Sequence, residues 1–308
     1  MSDLRSWLQR NRLGNGVARL PSGERDKAMP LSPDDRVIEG FGQEWSRFRN
    51  DQLAVDEIQE MFDLYTSVFP WDQLPKSAEG FDAGCGSGRW ARLFAPRVGL
   101  LHCIDASRVA LDVSRETLSG LHNVKFRHED LCSIGLEDAS CDFGYALGVL
   151  HHISDTELAT ATCAAKLKPG APFLVYLYHD LEERGHLQQQ LLKAVTPVRF
   201  VVARLPSRLR ALVADLIALT IYWPFARLAL LLARTGRDPS AIPLFQYRDR
   251  SFYVMRNDAL DRFGTRLEKR YSKQQVISLL EGAGFEDVVF SDGPPWWVAM
   301  AKRRNDSP

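Results

Sequence analysis

The stretch EGFDAGCGSGRWARLF, residues 79–94, gathers the residue types that hold a ligand: an apolar run carrying Asp82, then Gly84, Gly86 and Gly88, then a helical pattern. Glycines at a strand-to-helix turn let the backbone bend sharply and let a ligand approach main-chain N–H groups at a helix start. The spacing is G-x-G-x-G and not the G-x-G-x-x-G of a dinucleotide site, and Asp82 stands two positions before the first glycine. An acid there opposes a pyrophosphate and suits a ligand with positive charge. Twenty-three residues later LLHCIDAS ends the next apolar run with Asp105, the usual place for a carboxylate that accepts both hydroxyls of a ribose. Asp130 in RHEDL follows the third run, and the fourth ends in GYALGVLHHISD, residues 144–155.

Proton transfer needs a group that titrates near neutrality, which histidine supplies. His151 and His152 follow the fourth run, and Tyr178 and His179 end the fifth. His151 is the first expectation for a base and His179 the second, with a purely loop-orienting role for His151 as the other reading. Adjacent histidines point their side chains apart on a strand, and no C-x-x-C pair occurs, so no metal site is expected. His102, His122, His128 and His186 have no partner pattern and are read as packing or surface residues.

These residues need a scaffold. Strand-like runs near Gly80–Ala83, Leu100–Ile104, Val124–Arg127, Cys141–Leu147 and Pro172–Tyr178 alternate with helical patterns at Arg89–Pro96 and Asp155–Leu167. That is βαβ alternation, an α/β class with a parallel sheet covered on both faces. Helical spacing also runs from Asp51 to Phe69. A helix at Lys273–Ala283 opens with Ser272 and Gln275 as a capping box and closes at Gly284, and two runs, Asp287–Phe290 and Trp296–Ala301, follow it. Residues 182–262 interrupt this pattern.

Together the motifs resemble the class I S-adenosylmethionine-dependent methyltransferases, specifically the small-molecule, quinone-biosynthesis-like type 11 branch, over about residues 78–181 and 270–303. The resemblance implies a Rossmann-like doubly wound sheet of seven strands, mostly parallel with the last strand antiparallel, and S-adenosyl-L-methionine as cofactor. It implies that the glycine loop (Gly84, Cys85, Gly86) holds the methionine part beside Asp82, that Asp105 binds the ribose, and that Asp130 reaches the adenine amino group. Ala106, Leu131 and Leu147 are implied as further cofactor contacts. The implied reaction is methyl transfer to a small or lipid-like acceptor. A catalytically silent cofactor-binding partner is the alternative, and a nucleotide-dependent oxidoreductase is disfavoured by the glycine spacing. The departures are a first strand, Gly80-Phe81-Asp82-Ala83, that is less aliphatic than usual, and Ala171 where a second glycine is common.

Around this core the chain divides into an N-terminal arm and helical extension (1–75), the cofactor-binding core (76–181), a helical insertion (182–262) and a C-terminal completion (263–308). The arm to residue 30 has six bases and no continuous apolar stretch, so it is read as mobile and not as a secretory signal. Phe41, Gln43, Glu44 and Trp45 form an aromatic-polar cluster read either as a lid or as packing for the extension. Residues 184–237 hold nine bases and one acid, Asp215, around the apolar run 211–233, while the whole chain has 39 bases and 39 acids. Two readings of this segment stand: a peripheral membrane contact or lid over a lipid-like acceptor, or a helical subdomain or homodimer interface. A bare membrane span is disfavoured by Asp215, Pro224 and Arg227. Zero net charge and the lack of an RNA-binding module argue against nucleic acid. Five cysteines in no framework fit a reducing, cytoplasmic setting. Residues 245–272, dense in arginine, aspartate and aromatics, could contact the acceptor or be a solvated connection.

Overall fold

Short apolar runs build the sheet; the first and fourth are stopped by Gly84 and Gly148, the second ends on Asp105 and the third stops before Glu129. The computed structural model describes residues 33–49, 53–180, 195–295 and 297–305, which lie in one compact unit, Ser32–Pro308. The strands are β1 (Glu79–Ala83), β2 (Leu100–Asp105), β3 (Val124–His128), β4 (Phe143–Leu147), β5 (Pro172–Tyr176), β6 (Phe285–Phe290) and β7 (Val298–Arg303), in spatial order β3-β2-β1-β4-β5-β7-β6. β7 runs antiparallel to both β5 and β6, and the pairs among β1 to β5 are parallel. The chain leaves β1 toward β2 and β3 and then returns to β4, so the strand order reverses between β1 and β4. In an open α/β sheet, ligands bind outside the carboxyl ends of the strands at that reversal.

β4 and β5 are buried at every position, so both sheet faces must be covered. Phe81, Ile104, Phe173 and Phe285 pack on one face; Phe94, Leu101, Tyr145 and Leu174 pack on the other. The covering helices, in chain order, are α1 (Pro33–Arg47), α2 (Val55–Tyr65), α3 (Ala91–Phe94), α4 (Arg108–Thr117), α5 (Thr156–Lys166), α6 (Ser207–Ile217), α7 (Trp223–Arg234), α8 (Phe252–Gly264) and α9 (Lys273–Gly282). Ser107 caps α4 by accepting from the Ala110 amide, and Ser272 with Gln275 forms the expected capping box on α9.

The insertion contributes one continuous helix, Ser207–Arg234, made of α6, a π-helical segment Ala218–Tyr222, and α7. A four-residue repeat drifts around an α-helix, and the wider π turn takes up that drift. Ala214, Ala218, Tyr222 and Ala226 therefore stay buried in one cluster with Val254, Met255 and Ala259 of α8. Asp215 accepts from Arg256 at 2.9 Å and from Arg47 of α1. The Tyr222 hydroxyl donates to Asp258 at 2.8 Å, and Arg227 donates to the carbonyls of Arg248 and Arg250. The charged residues inside the apolar run are thus bonded into the domain.

Several elements depart from the sequence reading: the helix expected at Arg89–Pro96 is Ala91–Phe94, and the strand expected from Cys141 begins at Phe143. The helix expected over 51–69 is the shorter Val55–Tyr65. α1 and α4 were not anticipated as helices, although the Phe41–Trp45 cluster that α1 carries was singled out. The mobile reading of the arm and residues 182–194 of the insertion lie outside the described residues.

Candidate functional site

At the carboxyl end of β1 the chain turns through Gly84 (φ +78°) and Gly86 (φ +54°). A Cβ on Gly84 would stand 2.4 Å from Val149 and one on Gly86 2.8 Å from the Trp45 ring, so sterics and backbone conformation both demand glycine. The amides of Gly84 and Cys85 donate to the Ile104 carbonyl at 2.8 and 3.0 Å, which pins the loop to β2. Asp105 takes the Gly86 amide on one carboxylate oxygen at 2.8 Å and the Ser107 amide on the other at 2.7 Å. Burial raises the Asp105 proton affinity, and these two bonds hold the rise back. A carboxylate has about four lone-pair sites, so acceptor capacity remains on it.

A cleft opens between this loop, the ends of β2 to β4, and α1. Of the residues named from sequence, Gly84, Cys85, Asp105, Ala106, Asp130, Leu131 and Leu147 line it. Asp130 accepts from the Cys132 amide at 2.7 Å, which fixes the turn after β3. Asp82 and Gly86 do not line the cleft. Asp82 lies under the loop, 2% exposed, with Oδ2 unbonded. Burial raises its proton affinity well above the carboxylate range. The Tyr145 hydroxyl opposes that rise in part, yet it makes no hydrogen bond of normal geometry, so burial is the cause that matters.

The helix α1 resolves the two readings of its aromatic-polar cluster by using opposite sides. Phe41 and Trp45 face the cleft. Glu44 is buried on the other side, accepting from Asn257 of α8 at 2.7 Å, and Gln43 accepts from Arg210 of α6 at 2.9 Å.

The two histidines after β4 are both buried, but of the two His152 lines the cleft. The 3-10 turn Leu150–His152 sends His151 inward, where it is fully buried, stacked on Tyr178 at 4.1 Å, with neither ring nitrogen bonded. Burial first, then His152, Arg270 and Arg262, hold its pKa well below the usual value. His152 lines the cleft beside Phe41, with ring centroids 4.9 Å apart. Its Nδ1 lies 2.7 Å from the Leu267 carbonyl, so Nδ1 carries the proton, and Nε2 stands 3.6 Å from Asp261 Oδ1. Asp261 in turn accepts from the Tyr178 hydroxyl. His179 is away from the cleft, its backbone bridging Tyr271 and its ring 6.5 Å from Trp297. The reading of sequence chose His151 and His179 and missed the pair His152–Asp261. The available signal was the i, i+3 spacing of Asp258 and Asp261, which puts both acids on one face of α8.

The family model described as a methyltransferase domain matches residues 81–175. A Mycolicibacterium smegmatis protein named as an S-adenosylmethionine-dependent methyltransferase is 26% identical over 161 residues, 50% of this chain and 54% of the relative. Demethylmenaquinone methyltransferase of Staphylococcus aureus is 31% identical over 142 residues, 44% of this chain and 56% of the relative. The chain thus spans about half the length of the curated relatives it matches. Among solved structures, phosphoethanolamine N-methyltransferase 2 of Haemonchus contortus is 16% identical, covering 84% of this chain and 46% of that one, with a TM-score of 0.49.

Proposed function

We propose, from the premise that the chain belongs through residues 81–175 to the class I S-adenosylmethionine-dependent methyltransferases of the type 11 branch, that it methylates a small or lipid-like acceptor at the cleft beneath α1. The observation that carries this reading is the meeting of the glycine loop, Asp105 and Asp130 with His152 in one cleft. The residues fit the cofactor. Asp82 lies buried beneath the loop with an unbonded oxygen, and a bound sulfonium and ammonium would offset the burial that disfavours its charged form. Asp105 has acceptor capacity for a ribose diol, and Asp130 with Leu131 forms the far edge for the adenine.

When bound, S-adenosylmethionine supplies a methyl group on a positively charged sulfur. The chain's own residues then position the acceptor and manage its proton. His152 Nε2, buried and without a hydrogen-bond partner, has a lone pair because Nδ1 holds the proton, so an acceptor hydroxyl or acidic carbon that reaches it can pass it a proton. Asp261, at 3.6 Å, stabilises the imidazolium that forms. Phe41 and Trp45 cover the cleft and exclude water. His151 is a poor base, because burial disfavours its protonated form and it does not line the cleft.

The curated Staphylococcus relative is named for a quinone acceptor, and a hydroquinone hydroxyl or ring carbon is the kind of nucleophile His152 would serve. Methyl-labelled S-adenosylmethionine incubated with the protein and fractionated cell extract is expected to label the organic-soluble fraction, and no label in any fraction would defeat the reading. Asp105→Ala is expected to weaken binding of S-adenosylhomocysteine about tenfold or more, since hydrogen bonds to a charged group contribute about 1.5–3 kcal/mol. Unchanged affinity by calorimetry would remove Asp105 from the site.

A further inference from the structure

Among the described residues, the helix Ser207–Arg234 packs one apolar face on α8 and leaves a second exposed. Ala214, Ala218, Tyr222 and Ala226 pack on α8, while Leu212, Leu216, Leu219, Phe225, Leu228 and Leu231 are 39–59% exposed. At 1.5 Å per residue the helix is about 42 Å long, so the exposed leucines make an elongated stripe and not a scatter of single side chains. A monomeric soluble protein rarely leaves such a patch in water.

The charges around the stripe say what covers it. Exposed Arg204 and Arg208 stand at one end, and exposed Arg234 and Arg237 at the other. The acid inside the run, Asp215, is turned away and bonded to Arg47 and Arg256. Beside the first turn, a second cleft between α1, α6 and α8 is lined by Arg36, Arg208, Arg210 and Arg266. Among the described residues no carboxylate oxygen lies within ion-pair distance of Arg36, Arg208 or Arg266. An apolar stripe with cations at both ends and no exposed acid within it complements an anionic lipid surface, whose acyl region takes the leucines and whose headgroups take the arginines.

A crossing orientation does not fit the same residues. Length and composition would allow this helix to span, but Asp215, Tyr222 and Arg227 on its inner face are bonded to α1, α8 and the segment before α8. Spanning would carry those elements into the hydrocarbon or break the bonds.

We infer that the face of helix Ser207–Arg234 bearing Leu212, Leu216 and Leu228 docks in the plane of an anionic phospholipid bilayer. The arginine-lined cleft at its first turn then faces the headgroups. That cleft shares Val37 and Phe41 with the cleft holding Asp105 and His152, so the two lie side by side across α1. The docking stands apart from methyl transfer, since it is read without cofactor or turnover.

The test is co-sedimentation of the full chain with vesicles of phosphatidylcholine and phosphatidylglycerol in a two-to-one ratio, against vesicles of phosphatidylcholine alone. Binding to the mixed vesicles is expected, falling about fivefold for each of Arg208→Gln and Arg234→Gln and about tenfold or more for the pair Leu216→Gln with Leu228→Gln. These side chains are solvent-facing, so the variants are expected to keep the melting temperature of the parent. The arginine variants leave the stripe intact and serve if the leucine pair does not fold. No binding to mixed vesicles, or binding that ignores both sets of variants, overturns the proposal. So does a dimer in solution that the leucine pair converts to monomer, which would make the stripe an interface between two copies.

Discussion

His151 and His152 are neighbours in the chain and opposites in chemistry, because a side chain's surroundings, more than its type, set what it can do. His151 has no bonded ring nitrogen and no exposure, so charging it inside the fold is costly. In the unfolded chain it protonates near pH 6.5, whereas in the fold it stays neutral well below that. As pH falls through 6.5 the unfolded chain therefore binds the extra proton first, and the stability His151 allows near neutrality is lost on acidification. His151→Phe removes that titration and keeps a ring against Tyr178. The melting temperature of the variant relative to the parent is expected to rise as pH is lowered from about 7.5 to about 5.5. A difference that stays flat would mean that His151 is not held neutral. Comparing the two proteins at each pH cancels Asp82, Glu44, Asp105 and Asp261, whose raised proton affinities act with the opposite sign.

Among the elements, α1 decides whether the cleft is covered. Its Gly42 meets the start of α4, where a Cβ would stand 2.7 Å from Ser107 Oγ and 3.3 Å from Val109 Cβ. Gly42→Val has no room there, and overpacking of this kind costs about 1–3 kcal/mol, enough to lever α1 off α4 and lift Trp45 from Gly86. Affinity for S-adenosylhomocysteine is expected to fall about tenfold with little change in melting temperature, because the sheet core does not contain α1. New protease cleavage within residues 33–49 together with unchanged affinity would show that α1 is not a cover. The same helix shows what sequence patterning carries and what it does not. β4 and β5 were legible because strands buried on both faces read as unbroken apolar runs, and α9 because Ser272 and Gln275 mark its start. α1 was not legible, since Gly40 and Gly42 weaken the helical signal and its apolar residues serve two opposite faces. Asp82, Asp105 and Asp130 were legible because each lies within two residues of a strand's carboxyl end. Asp261 was not, because its partner His152 is more than a hundred residues away and only the packing of α8 brings them together.

Considered whole, the molecule is a sheet domain that offers the candidate cofactor cleft and a helical layer, α1 with α6 to α8, that offers the arginine-lined cleft and the apolar stripe. The two meet at Phe41, which lines both clefts and touches His152. Its position between the clefts makes it a partition: the candidate cofactor side is lined by Gly84, Asp105 and Asp130, while the ring packs against His152 of the His152–Asp261 pair. Replacing Phe41 by Ala opens a passage beside His152, and admitted water weakens the charge interaction of the pair, since an ion pair loses strength in proportion to the local dielectric. Phe41→Ala is therefore expected to lower kcat about tenfold or more, the size of a typical loss in proton transfer, while the dissociation constant of S-adenosylhomocysteine changes less than about threefold, under 1 kcal/mol. If the two quantities fell together, Phe41 would belong to cofactor binding and the partition would lie elsewhere. If neither changed, the acceptor would not pass His152 at all, and the proton it loses would leave by another route.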